Sequence, residues 1–173
     1  MADKDVFSNA WFDRHMPDLN QQNPVLAKYL IQNSIWWIEY AGIDALRIDT
    51  YAYPDQSFMK SLANRLHEEF PQLFLFGETW VQGSPVQSWF TQDTQVKKNF
   101  DSDLDAVTDF QLFYAIQKGL TEPFGWEEGL RRIELTLAHD GLYAKPGNLV
   151  TFLDNHDLSR FYATIQQIGR AHV

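Results

Sequence analysis

Three carboxylates in this chain sit where short apolar runs end, and each has a neighbour that could turn it to chemistry: Asp49, Glu78 and Asp157. Arg47 lies two residues before Asp49, on the same side if the segment is a strand, so its guanidinium can hold that carboxylate ionised and oriented. An ionised, positioned carboxylate is a serviceable nucleophile. A structural Arg–Asp pair closing a strand explains the same two residues. Glu78 follows the apolar run Leu73-Phe74-Leu75-Phe76 and precedes Thr79-Trp80. Apolar surroundings disfavour the ionised form of a carboxyl group, and a carboxyl that keeps its proton near neutral pH is a general acid. A Glu capping the next loop or helix is the plainer reading. Trp80 is either a wall on which a ring could stack or a packing residue.

His156 and Asp157 are adjacent. Such a pair serves as metal ligands, as part of a nucleophilic triad, as donor and acceptor for hydroxyl groups, or as a loop-stabilising contact. The remaining histidines show no ligand spacing, and no Gly-x-Ser-x-Gly elbow is present, so the metal and triad readings have little support, while a His donor and an Asp acceptor suit hydroxyl groups and a loop-stabilising pair is the plainer reading.

The elements that must position these residues alternate between helical and strand-like patterns. A helix is expected from Pro24 to Ala41, with Asn23 as N-cap, Pro24 at its first position and Gly42 after its end. Leu26, Leu30, Trp37 and Ala41 share one of its faces. A strand from Asp44 to Asp49 follows, then a helix from about Pro54 to Phe70 with Phe58, Leu62, Leu66 and Phe70 in a row. The run 73–76 is continuously apolar, as a strand covered on both faces is. Leu104 to Phe110 reads as a strand, Phe110 to Leu120 as a helix, and Leu130, Ile133 and Leu137 mark a further helix. Leu149 to Leu153 reads as a strand leading into Asp154-Asn155-His156-Asp157. Strands alternating with helices imply a parallel sheet, in which functional residues collect at the C-terminal strand ends. Asp49, Glu78 and the His156-Asp157 pair all fall there.

Composition narrows the function classes. A net charge of −9 argues against a nucleic-acid surface, which needs clustered Lys and Arg. No apolar run is long enough for a membrane span. With no cysteine, disulfides and thiolate metal sites are excluded. The start, Met1-Ala2-Asp3-Lys4-Asp5, lacks a signal-peptide pattern, but compartment and oligomeric state are not legible.

Taken together, the segments resemble the alpha-amylase family, glycoside hydrolase family thirteen. Gly42-Ile43-Asp44-Ala45-Leu46-Arg47-Ile48-Asp49 looks like its fourth-strand motif, and Phe76-Gly77-Glu78-Thr79-Trp80 its fifth-strand motif. Phe152-Leu153-Asp154-Asn155-His156-Asp157 looks like its seventh-strand motif, and Met16-Pro17-Asp18-Leu19-Asn20 is similar to a signature found ahead of the fourth strand. The resemblance implies an α/β fold, a partial TIM (β/α)8 barrel covering about strands 4 to 7. It also implies Asp49 as nucleophile, Glu78 as acid and then base, and Asp157 as the group that holds substrate hydroxyls. Arg47 would orient Asp49, His156 would hydrogen-bond the sugar, and Trp80 is the candidate stacking surface. The implied activity is retaining hydrolysis of α-1,4 and some α-1,6 bonds in maltodextrins, pullulan or cyclodextrins, in the manner of the neopullulanase and cyclomaltodextrinase group. The alternatives are an α-glucan transglycosylase and a non-catalytic sugar-binding relative. No cofactor is expected, and no loop suited to the structural calcium found in the family is legible.

The family's third-strand motif Asp-x-x-x-Asn-His is missing, and Thr50-Tyr51-Ala52-Tyr53 stands where many alpha-amylases carry Lys-His. At 173 residues the chain is short for a barrel of roughly 250. Residues 1–167 are therefore expected to be part of a catalytic barrel that is inactive alone. Residues 168–173 match one reading frame of a common sequencing adapter and are expected to be a non-native tail.

Overall fold

The computed structural model describes residues 11–96 and 100–164. The tail expected at 168–173 and the start at 1–10 lie outside the described residues. In order, the chain forms α1 (Pro24–Ala41), β1 (Ala45–Ile48), α2 (Gln56–Glu69), β2 (Phe74–Gly77), α3 (Ser84–Trp89), β3 (Ala106–Val107), α4 (Phe110–Thr121) and α5 (Arg131–Leu137). The strands make one parallel sheet in the order β1-β2-β3, with Arg47 opposite Phe76 and Ile48 opposite Gly77. This open sheet with its helices is part of an α/β barrel.

Helix α1 has the bounds its caps dictate. The Asn23 side chain accepts the N–H groups of Val25 and Leu26, Pro24 opens the helix, and Gly42 ends it in the left-handed region at φ 63°. The face shared by Leu26, Leu30, Trp37 and Ala41 turns inward only in part, its two leucines being half-buried. Trp37 is 48 % exposed, whereas Ile31, Ile35 and Ile38 turn toward the core. Aromatic bulk at one end of the helix obscured the run of isoleucines at i, i+4, i+7. Helix α2 starts at Gln56, two residues later than expected, because the Asp55 carboxylate accepts the Phe58 N–H at 2.8 Å. Its Met59, Leu62, Ala63 and Leu66 pack with Leu73 and Leu75 around β2.

The third and fourth strands are shorter than their sequences suggested. Instead of Leu104–Phe110, β3 is two residues long. On its approach, Asp105 turns its carboxylate to the Leu75 N–H (2.9 Å), a donor that a longer strand would meet with a carbonyl. Leu149–Leu153 is not a full strand but forms one parallel bridge, Thr108 with Val150. Val150 donates to the Val107 carbonyl and accepts from the Asp109 N–H, at 3.0 and 2.9 Å. The ladder ends there because Asp109 already caps α4 through the Leu112 N–H. Even so, the bridge puts residues 149–153 in the fourth position of the sheet. The six-residue α3, after Gly83 at φ 86°, had no clear signal in the sequence. Among the described residues no helix is long and apolar enough to cross a membrane.

Candidate functional site

Asp49 and Glu78 are the first residues after β1 and β2, and the parallel register brings them to the same edge of the sheet. Between them stands Arg47, whose two terminal nitrogens reach different carboxylates: Nη1 lies 3.0 Å from Asp49 Oδ1 and Nη2 lies 3.2 Å from Glu78 Oε1. A guanidinium is a rigid planar fork, so one side chain fixes the relative placement of both acids. The two environments differ sharply. The Asp49 side chain is 60 % exposed and that of Glu78 only 7 %.

The second Glu78 oxygen accepts the backbone N–H of Thr50 at 3.1 Å. Glu78 therefore does not cap a helix, since α3 is preceded by Gly83. Nor are its surroundings simply apolar, as the sequence suggested: its burial is offset by a cation on one oxygen and an N–H on the other. Thr50 adopts φ 45°, uncommon for a β-branched residue, and this turn aims its N–H at Glu78. The backbones are laced as well, with Glu78 N–H to the Ile48 carbonyl (2.8 Å) and Tyr51 N–H to the Glu78 carbonyl (3.0 Å).

Beneath this junction Tyr51 is fully buried and lies across Gly77. A Cβ added at Gly77 falls 2.5 Å from Tyr51 Cγ, so only glycine admits the ring. Trp80 is 41 % exposed. One face of it stacks on Phe110 (ring centroids 4.7 Å apart, 14° between planes), and its indole N–H donates to the Tyr114 hydroxyl at 2.7 Å. Packing and an open face thus coexist in the one residue.

His156 and Asp157 pair with each other at 3.2 Å and are both exposed, at 70 % and 45 % of their side chains. The Asp157 N–H donates to the Asn155 side chain. Asp154, three residues earlier, takes the Phe161 N–H and Arg160, which hold its carboxyl below the usual range. The structure therefore brings Arg47, Asp49 and Glu78 into one bonded group. His156 and Asp157 share the sheet edge, beyond β2 and β3, without a hydrogen bond or ion pair to that group among the described contacts. No group of three or more metal-ligating side chains occurs among the described residues. Thr50, Gln111 and Tyr114 were not singled out from the sequence. A backbone N–H leaves no mark on residue type, but Gly77, ending an apolar strand, was a legible sign of close backbone approach.

No protein-family profile matches the chain. It is 29 % identical over 146 residues to the beta/alpha-amylase of Paenibacillus polymyxa, covering 84 % of this chain and 11 % of that protein. It is also 29 % identical over 151 residues to the cyclomaltodextrin glucanotransferase of Geobacillus stearothermophilus, covering 84 % of this chain and 19 % of that protein. Among solved structures, the alpha-amylase of Geobacillus thermoleovorans, complexed with acarbose, superposes with a TM-score of 0.76 at 26 % identity. That match covers 96 % of this chain and 38 % of the other. The chain thus spans well under half the length of the proteins it resembles.

Proposed function

We propose that this chain, a relative of the alpha-amylase family folded as part of its barrel, carries the catalytic carboxylates of a retaining α-glucan hydrolase. The observation that supports this most directly is the Arg47 fork, which sets an accessible carboxylate and an enclosed one beside each other. Retaining glycosidases need their two carboxyl groups close, because no water has to fit between one of them and the sugar.

In this reading an Asp49 oxygen attacks the anomeric carbon while the bond to the departing oxygen breaks, and Glu78 gives that oxygen its proton. Water then attacks the glycosyl–Asp49 ester, passes its proton to Glu78 and frees Asp49, so the α configuration is retained. Both Glu78 oxygens act as acceptors in the structure, to Arg47 and to Thr50 N–H. Asp157 and His156 are assigned to sugar hydroxyls, and the open face of Trp80 to stacking. The substrates proposed are maltodextrins, pullulan or cyclodextrins, cut at α-1,4 and some α-1,6 links in neopullulanase fashion. Activity is assigned to the full-length protein, with this segment inactive alone. Similarity to a glucanotransferase favours one second reading, transfer of the same covalent intermediate to a sugar acceptor.

The test is Asp49→Asn in the full-length protein. Loss of turnover by about a thousandfold or more is expected, as for removal of a nucleophile. Unchanged turnover rules out the assignment. Release of products to water or to added maltose in the unaltered protein separates hydrolysis from transfer.

A further inference from the structure

The loop that follows β2 carries both Glu78 and Trp80, and four of its polar groups are held by one other segment, Thr108 to Tyr114. The Thr79 N–H donates to Thr108 Oγ1 at 3.2 Å. Gln111 grips the loop with both ends of its amide: Nε2 donates to the Val81 carbonyl at 2.7 Å and Oε1 accepts the Gly83 N–H at 2.9 Å. One turn further along α4, Tyr114 accepts the Trp80 indole N–H, and Phe110 lies flat under the indole ring.

This grip has a fixed sense. Gln111 Nε2 also donates to Gln87 Oε1 at 3.3 Å, and Gln87 Nε2 donates in turn to Asp109 and to the Tyr143 hydroxyl. Rotating either amide by half a turn would set donor against donor and acceptor against acceptor, so the chain of amides holds one orientation. The consequence falls on Trp80. With one face and its N–H already taken, the indole cannot swing, and its remaining face is offered in a single orientation. A ring fixed in advance gives up less freedom when a ligand stacks on it.

We propose that Gln111 and Tyr114 are positioning residues for substrate binding, holding the loop at 79–83 and the Trp80 ring so that a sugar can stack two residues beyond the acid. This rests on the catalytic reading of Asp49 and Glu78. Because the bond-breaking groups are held separately, by Arg47 and Thr50, loosening the clamp weakens substrate binding more than it slows the chemical step.

The experiment uses the full-length protein with maltooligosaccharides. Gln111→Glu keeps the shape of the side chain and the acceptor for Gly83. When ionised it puts an oxygen where the N–H faced Val81 and Gln87; when protonated, its O–H can donate to the Val81 carbonyl again. KM is expected to rise about fivefold near neutral pH, with kcat within about twofold. The KM ratio to the unaltered protein should fall toward one as the new carboxyl is protonated, a pH signature that plain destabilisation does not produce. Tyr114→Phe, which removes only the acceptor for Trp80, should raise KM in the same sense at every pH, and it decides the matter if Gln111→Glu does not fold. Unchanged KM in Tyr114→Phe, or a folded Gln111→Glu whose KM ratio stays at one, overturns the inference. Asp49→Asn separates the two levels. If it is inactive while both clamp variants keep their KM, only the positioning role fails; if it stays active, the catalytic reading fails and the inference with it.

Discussion

Gly77→Ala tests the join between the two carboxylate-bearing strands more severely than any change to the carboxylates themselves. The added Cβ falls 2.5 Å from Tyr51 Cγ and 2.8 Å from both Tyr51 Cβ and Cδ2, far inside van der Waals contact. The Tyr51 Cβ is fixed to the backbone, so no rotamer change moves it clear. The backbone of Thr50 and Tyr51 would have to retreat, yet it is tied to Glu78 by the Tyr51 N–H (3.0 Å) and the Thr50 N–H (3.1 Å). Overpacking a core by a methyl group costs about 1–3 kcal/mol where neighbours can adjust. Here they cannot adjust without giving up two hydrogen bonds, each contributing about 1 kcal/mol, so a loss of about 3 kcal/mol or more is expected.

The assay is urea denaturation of the full-length protein, with Gly141→Ala as control. Nothing lies within 4 Å of a Cβ at Gly141, so that variant should be as stable as the parent or slightly more so. Turnover of Gly77→Ala, measured well below its unfolding temperature, should also fall, because the retreat of Thr50 takes the N–H away from Glu78. A Gly77→Ala variant within about 0.5 kcal/mol of the parent refutes the steric argument. A destabilised variant with full turnover refutes the coupling of the crossing to the acid.

Two further outcomes follow from buried polar groups. The Tyr51 hydroxyl is buried without a hydrogen-bond partner among the described residues, and burial, with Asp103 and Asp101 nearby, pushes it above the usual phenol range. Tyr51→Phe should therefore raise stability by about 1 kcal/mol in urea denaturation, and a loss of that size would contradict an unsatisfied hydroxyl. Burial, and secondarily the charge of Asp109, raises the Asp140 carboxyl above its ordinary range. A carboxyl raised on folding adds stability at low pH that is lost as pH rises through the folded value. Asp140→Asn should thus melt higher than the parent near neutral pH, with the gap closing below about pH 4; a gap that persists there contradicts the assignment.

What the sequence showed, and what it hid, follows from the range of the forces involved. Helix α1 was legible to the residue because its ends are set by local chemistry: an Asn side chain, a proline and a glycine at φ 63°. The strand at 149–153 was misjudged because strand length is decided by the partner. Asp109 gives its N–H to Val150 but its carboxylate to the start of α4, where the chain turns into helix, and nothing within 149–153 records that. Which apolar side of α1 is buried was hidden for a related reason, since Trp37 and Ile38 are both apolar and only packing separates them.

The site divides along the same line. Arg47 and Asp49 could be paired from their spacing, because residues two apart on a strand face the same way. That Arg47 also reaches Glu78 depends on the register that sets Arg47 beside Phe76, which is tertiary information. Glu78 shows the cost of reading one neighbour at a time. Its apolar approach pointed to a carboxyl isolated from charge, whereas it has both an arginine and a strained backbone N–H. Such a carboxyl is enclosed but not isolated. The geometry thus joins two carboxylates that the sequence kept apart: Arg47 holds Asp49 through one terminal nitrogen and Glu78 through the other, so moving either acid disturbs the placement of both.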